Sequence, residues 1–291
     1  MAKGTIVALP KQRRYGGGMS TTALEMHVRQ GAEQVELQRL TVALDNLRLA
    51  LSEIDRSLID RGSRPRWVIT ELSQHDQIMQ VKVTAAPTPR RSSASLLEPV
   101  DALVSGVAHL QREPELPEYY TKRTVERLLK IGEPGRGIQE VSLATVNGKV
   151  GRHIPVSEPV LRHARSAITG KQRSLGSVAG YLDTMSARHI KGKGLLRVSL
   201  FDPLTRRSVI GELPADKAAE VHDHFWRTRV LARGQVTRND RGQTISISIE
   251  HLEQLPGEPD QRAPLEEILG ADPDWLGGQN VDEYLREARR A

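Results

Sequence analysis

The sequence predicts an α+β protein: an N-terminal α+β domain, then a small β-barrel, then an acidic C-terminal tail with a short helix. Three observations carry this. Residues 175–255 break into five short strand patterns with one helix pattern before the fourth. Residues 21–170 mix period-two alternation with longer runs of three- and four-residue apolar spacing. After Pro256 the charge changes sign, with ten acidic residues between Glu253 and Glu287 against only Arg262 and Arg286. The divisions that follow are a flexible basic leader (1–20), the α+β domain (21–170), the barrel (171–256) and a partner-binding tail (257–291).

A chain of 291 residues accommodates two ordinary domains. Its 38% apolar content is enough for real cores. The absence of cysteine excludes disulfides, thiolate nucleophiles and thiolate-held metal, and it is compatible with a cytoplasmic location. No window approaches the run of about 20 apolar residues that spans a bilayer, and Ile6–Pro10 is too short for the core of a signal peptide. The net charge is +6 and 32 of the 42 basic residues are arginine, whose planar fork suits phosphate and carboxylate. Aromatic residues make up only 3%, which argues against a surface that stacks bases.

Ala23–Arg29 alternates apolar and polar residues and reads as a strand. A long helix follows from Gln34, with Leu37, Leu40, Leu44, Leu47, Leu51, Ile54 and Leu58 as its apolar stripe and Gly62 as its end. Arg66–Leu72 and Gln77–Thr84 form a hairpin. Ala85–Ser95, with Pro87, Pro89 and three serines, is expected as a mobile surface loop. Helices are predicted over Leu96–Gln111, Lys122–Ile131 and Glu158–Thr169. Between the last two, Asn147-Gly148 marks a hairpin turn.

The barrel strands are Ser174–Ala187, Leu195–Asp202, Arg207–Leu213, Arg229–Arg238 and a last one in which Ile245, Ile247 and Ile249 alternate with Ser246, Ser248 and Glu250. Pro214 opens a helix at the first-turn position that proline tolerates, with Ala218, Val221 and Phe225 on its buried side. Three strands, a helix and two strands resemble the OB-type small barrel, over residues 172–256. From Leu161 to Gly211 there are ten Lys or Arg against two acids. The resemblance implies a ligand face bordered by the first inter-strand loop. The candidate nucleic-acid-binding residues are therefore Arg188, Lys191 and Lys193 of that loop, with Arg197, Arg229 and Arg233 on outward strand positions. A protein ligand, or none, remains an alternative reading of the same basic surface.

No motif announces catalysis: Walker A, a strand-borne G-x-G-x-x-G and G-x-S-x-G are all missing from the sequence. His222-Asp223-His224 is the one close histidine pair, and a two-residue helical spacing turns the two rings to different faces. The expectation is a non-enzyme with no metal and no cofactor.

In the tail, Asn280 and Glu283 form a capping box for a last helix whose apolar side is Val281, Tyr284 and Leu285. A helix this short needs something to dock on. The run Leu265-Glu266-Glu267-Ile268-Leu269-Gly270, Trp275, Asp282-Glu283-Tyr284-Leu285-Arg286 and Arg289 resembles the toxin-binding C-terminal ends of some bacterial antitoxins. That resemblance implies a non-enzymatic regulatory protein that neutralises a nuclease toxin, with Trp275, Tyr284, Leu285, Arg286 and Arg289 as partner-binding residues. The alternative is a nucleic-acid-binding OB-type protein whose acidic tail covers its own basic barrel.

Overall fold

A computed structural model describes residues 23–58, 63–86, 88, 91–186, 194–219, 221 and 228–255. It is an α+β protein with two sheets. The first sheet has β1 (Ala23–Gln30) at its centre, between β3 (Ile78–Ala85) and β4 (Ile138–Asn147). The hairpin strand β2 (Trp67–His75) pairs with β3 at one edge, and the two-residue strands β5 (Lys149–Val150) and β6 (Ile154–Pro155) pair with β4 at the other.

One face of this sheet is covered by α1 (Leu37–Leu58), α2 (Ser93–Arg112), α3 (Lys122–Gly132) and α4 (Glu158–Ile168). Leu24, Met26 and Val28 alternate along β1 and pack into a core with Leu47 and Leu51 of α1 and Leu103 of α2, all fully buried or nearly so. The remaining members of the leucine stripe divide by position. Leu37, in the first turn of α1, is 79% exposed, because the helix begins there, three residues later than the spacing suggests.

The segment expected to be a mobile loop is partly anchored. Arg91 places its guanidinium 2.7 Å from the fully buried carboxylate of Asp55 on α1, and Ser92 caps α2 by accepting from Ser95 N–H at 3.1 Å. A charge pair of this depth binds the loop to the helix layer, so α2 starts at Ser93 rather than Leu96.

The second sheet closes on itself. Its strands are β7 (Gln172–Ser186), β8 (Leu195–Asp202), β9 (Arg207–Pro214), β10 (Arg229–Arg238) and β11 (Thr244–Gln254). The order around the barrel is β7-β8-β9-β11-β10 and back to β7, with β9 and β11 parallel and the other pairs antiparallel. Counting barrel strands one to five, this is the 1-2-3-5-4-1 circuit of an OB-type barrel. Val198, Leu200, Val230, Val236, Ile247 and Ile249 fill it from alternate positions. β10 passes so close to β11 at Gly234 that a Cβ there would lie 2.0 Å from the Ser248 carbonyl oxygen, which leaves room for glycine alone. After β9, Ala215–Lys217 form a short 3-10 turn leading to Val221, which is buried in the barrel core. Ala218 packs against the same core, and the expected helix beyond Val221, including Phe225, lies outside the described residues.

The barrel docks on the helical side of the first sheet. Tyr119 N–H donates to the Arg206 carbonyl at 2.9 Å, and the Ser57 and Ser208 hydroxyls lie 3.3 Å apart. The β10–β11 turn provides the most extensive contact. Asn239 is buried, accepts from the N–H groups of Arg241 and Gln243 to shape the turn, and donates to the Ala167 carbonyl at the end of α4 at 2.9 Å. No helix among the described residues is long and apolar enough to cross a membrane.

Candidate nucleic-acid interface

The docking leaves a groove between α3 and the barrel. α3 forms because Thr121 and Thr124 exchange capping hydrogen bonds at its start, while Val125, Leu128 and Ile131 recur at helical spacing and are buried. At its other end the Arg39 guanidinium donates to the carbonyls of Ile131 and Glu133, satisfying groups that a helix end leaves unpaired. With both ends tied and one face buried, the polar face of α3 (Lys122, Arg123, Glu126, Arg127 and Lys130) is aimed at the barrel.

The groove has two parts. A cleft of about 290 Å³ runs between α3 and the barrel wall, with Lys122, Arg123, Arg173 and Arg197 facing Glu126 and Glu212, and with Gln235, Thr237, Ser246 and Ser248 as its neutral polar lining. A second cleft of about 530 Å³ lies between α1, α3 and the end of β7, and holds Arg56, Arg127 and Lys130 against Glu53. Arg123, Glu126 and Arg197 line both, so the two are continuous around these residues. Among the described residues, cations outnumber carboxylates and no aromatic side chain lines either cleft.

Some of the positive charge is already matched. Arg197 on β8 lies directly opposite Glu212 on β9 and donates to it from Nε at 2.9 Å. Arg127 donates to Glu53 at 2.8 Å. Arg123 has no hydrogen bond or ion pair with any described residue. Burial holds its pKa below the usual guanidinium value, and the neighbouring charges of Arg197 and Arg127 push the same way against Glu53 and Glu126. A part-buried cation beside two others is the arrangement that an incoming anion relieves.

Nearby, the Asp183 carboxyl on β7 is raised to about 6. Burial is the main cause, opposed by hydrogen bonds from Ser199 and Thr184 and by the charge of Arg56. It sits where the β7–β8 register slips between Leu182 and Thr184.

Of the described residues expected from the sequence to contact nucleic acid, Arg197 alone lines the groove. Arg233 is exposed and paired with Glu253 at 2.8 Å, and Arg229 lies 4.0 Å from Asp202; neither lines a cleft. Both serve their own sheet because their positions place them beside acidic neighbours. Arg188, Lys191 and Lys193 lie outside the described residues, as do His222, His224 and the tail residues Trp275, Tyr284, Leu285, Arg286 and Arg289. Sequence reasoning missed Lys122, Arg123, Arg127 and Lys130. The signal was present in their recurrence on the polar side of α3, but only the docked barrel shows that this side faces a ligand-sized space.

On the opposite face of the first sheet, where no described helix packs, β1 alternation brings out Glu25 and His27, and the β5–β6 connection adds His153. These are the three side chains among the described residues whose donor atoms converge as a metal would require. The imidazoles stack with centroids 3.7 Å apart. Burial holds His27 below its usual value, and the charge of His153 adds to this while Glu25 opposes it.

Compared with known proteins, the chain matches no family model, no curated protein and no solved structure.

Proposed function

We propose that this protein is a non-catalytic nucleic-acid-binding protein that holds a single strand by its phosphates in the groove between α3 and the barrel. The observation that carries the reading is Arg123, a part-buried guanidinium near Arg197 and Arg127 with no hydrogen bond or ion pair to a described residue. The OB-type topology supports it, because Arg197 and Glu212 lie on the second and third barrel strands, the face with which such barrels contact oligonucleotides. The groove differs from an open platform in two ways. α3 forms its opposite wall, and the loop between the fourth and fifth strands is committed to docking on α4 through Asn239.

The lining also sets the mode of binding. With no aromatic side chain among the described lining residues to stack a base, affinity comes from Arg and Lys on phosphates, so it is nearly blind to sequence and falls as salt rises. A cysteine-free chain fits a cytoplasmic setting for this role. The reading in which the tail plugs a nuclease toxin rests on residues outside the described part of the chain and gains no support from the groove.

Mixed-sequence DNA and RNA oligonucleotides titrated into the full chain at several salt concentrations test the proposal. Binding of both with similar affinity, weakening steadily with salt, is expected. Absence of binding at low salt would overturn it.

A further inference from the structure

We infer that Glu25, His27 and His153 form a binding site for one divalent transition metal ion of the zinc class. His27 Nε2 lies 3.1 Å and His153 Nε2 3.0 Å from the same oxygen, Glu25 Oε1. Donors bound at about 2.1 Å to one ion, at right angles to each other, are separated by about 3.0 Å. The two carboxylate–imidazole spacings therefore already match those of donors on a shared ion. Both Nε2 atoms lie against that one oxygen, so the three donors gather at one point of the sheet surface; the rings, stacked with centroids 3.7 Å apart, swing open on loading so that their in-plane lone pairs converge on the ion.

The surroundings hold each donor in place. Gln80 Nε2 donates to the other oxygen, Glu25 Oε2, at 2.8 Å, leaving Oε1 for the imidazoles. Ser142 Oγ lies 3.4 Å from His153 Nδ1, so that ring presents Nε2 inward. Such outer partners orient ligands in metal sites. The fold also leaves Glu25 without the usual neutralising cation. Its side chain is only 4% exposed, and Lys82, its neighbour across β3, reaches instead toward Glu71 at 3.7 Å. A carboxylate taken this far out of water is costly without a matching charge, and the described chain offers it only one amide and two imidazoles.

The donor set selects the ion. Two imidazole nitrogens favour zinc, cobalt, nickel or iron(II) over magnesium and calcium, which take oxygen ligands. Three protein donors leave positions for water or an exchangeable anion, and the imidazoles, about a quarter exposed, put those positions at the solvent edge. In the metal-free state the Nε2–H groups can donate to Oε1. On loading, those protons move to Nδ1, where Ser142 Oγ can accept the one on His153.

The test is cobalt(II) titration of the chelator-treated full chain, followed by visible absorption and zinc competition. One equivalent of cobalt should bind and be displaced by zinc, while magnesium should not compete. His153→Ala sits on a short connection rather than in the sheet core, and it should weaken binding at least tenfold with an unchanged circular dichroism spectrum. Ser142→Ala should weaken it less. Failure of the wild type to take up cobalt or zinc at micromolar concentration would overturn the assignment. So would uptake that is unchanged in a His27→Ala/His153→Ala variant, because the ion would then be bound elsewhere.

Discussion

The side-chain amide of Gln243, in the β10–β11 turn, clasps the backbone of Leu116 in the α2–α3 connection: Leu116 N–H donates to Oε1 at 2.7 Å, and Nε2 donates to the Leu116 carbonyl at 3.4 Å. The same Oε1 accepts from Asn239 Nδ2 at 2.9 Å, so turn geometry and domain docking share one network. This clasp ties the connection that leads into α3 to the barrel turn.

Gln243→Ala leaves the Leu116 N–H without its acceptor and the Asn239 amide with the Ala167 carbonyl alone. An unsatisfied buried group costs about 1–3 kcal/mol. Chemical denaturation should show a loss in that range. Oligonucleotide affinity should fall as well, although Gln243 does not line the groove, because the two cationic walls would no longer be held in register.

The Asp55–Arg91 pair predicts a larger effect. Arg91→Ala leaves a fully buried carboxylate with, among the described residues, only Arg64 at 3.4 Å to answer it. Breaking a buried pair from one side costs about 3–5 kcal/mol. Urea denaturation should register that loss, and Asp55→Ala/Arg91→Ala together should recover part of it.

These two predictions mark the limit of what sequence patterning can reach. Strong local periodicity was legible: β8 and β10 occupy the predicted residues, and the Ile245–Ile247–Ile249 alternation is the inner face of β11. Asn147-Gly148 lies at the β4–β5 turn with Gly148 at φ 71°, as its residue type suggests. Loop and surface residues were less legible because their roles depend on distant partners. Arg91 falls in the stretch expected to be a mobile loop, and no local pattern marks Asn239 or Gln243 as docking residues. Lys122 and Arg123 acquire meaning only from the barrel opposite them, and Glu25 and His153, 128 residues apart, meet only through the β1–β4 pairing and the β5–β6 connection that follows it.

Asp183 predicts a pH dependence. Its folded value is raised to about 6 from an ordinary 3.8, so its contribution is fully present below pH 3.8 and is lost as pH rises through 6. Asp183→Asn removes this titration. Measured by denaturation, the Asn variant should gain on the wild type between pH 4 and pH 7, by no more than about 3 kcal/mol. A difference that stays flat across that window would place the ionised carboxylate in a better-solvated environment.

Removing the acidic tail tests whether the basic groove has a competitor within the chain. Truncation after Pro256 deletes most of the ten acidic residues of the Glu253–Glu287 stretch. If the tail covers the groove, the truncated chain should bind oligonucleotides more tightly at low salt, and the gain should vanish at high salt, where exposed charges are screened. Equal affinity at both salt levels would assign the tail to another surface.

The most direct measurement for the groove is the salt dependence of single-strand binding by the wild type beside Arg123→Ala and Lys122→Ala/Arg123→Ala. Each lost phosphate contact should lower the slope of log affinity against log salt by about 0.7, so affinity should drop stepwise and the slope should flatten with each substitution. Wild-type affinity and slope in the double variant, with the fold intact, would contradict the assignment of the α3–barrel groove as the nucleic-acid interface.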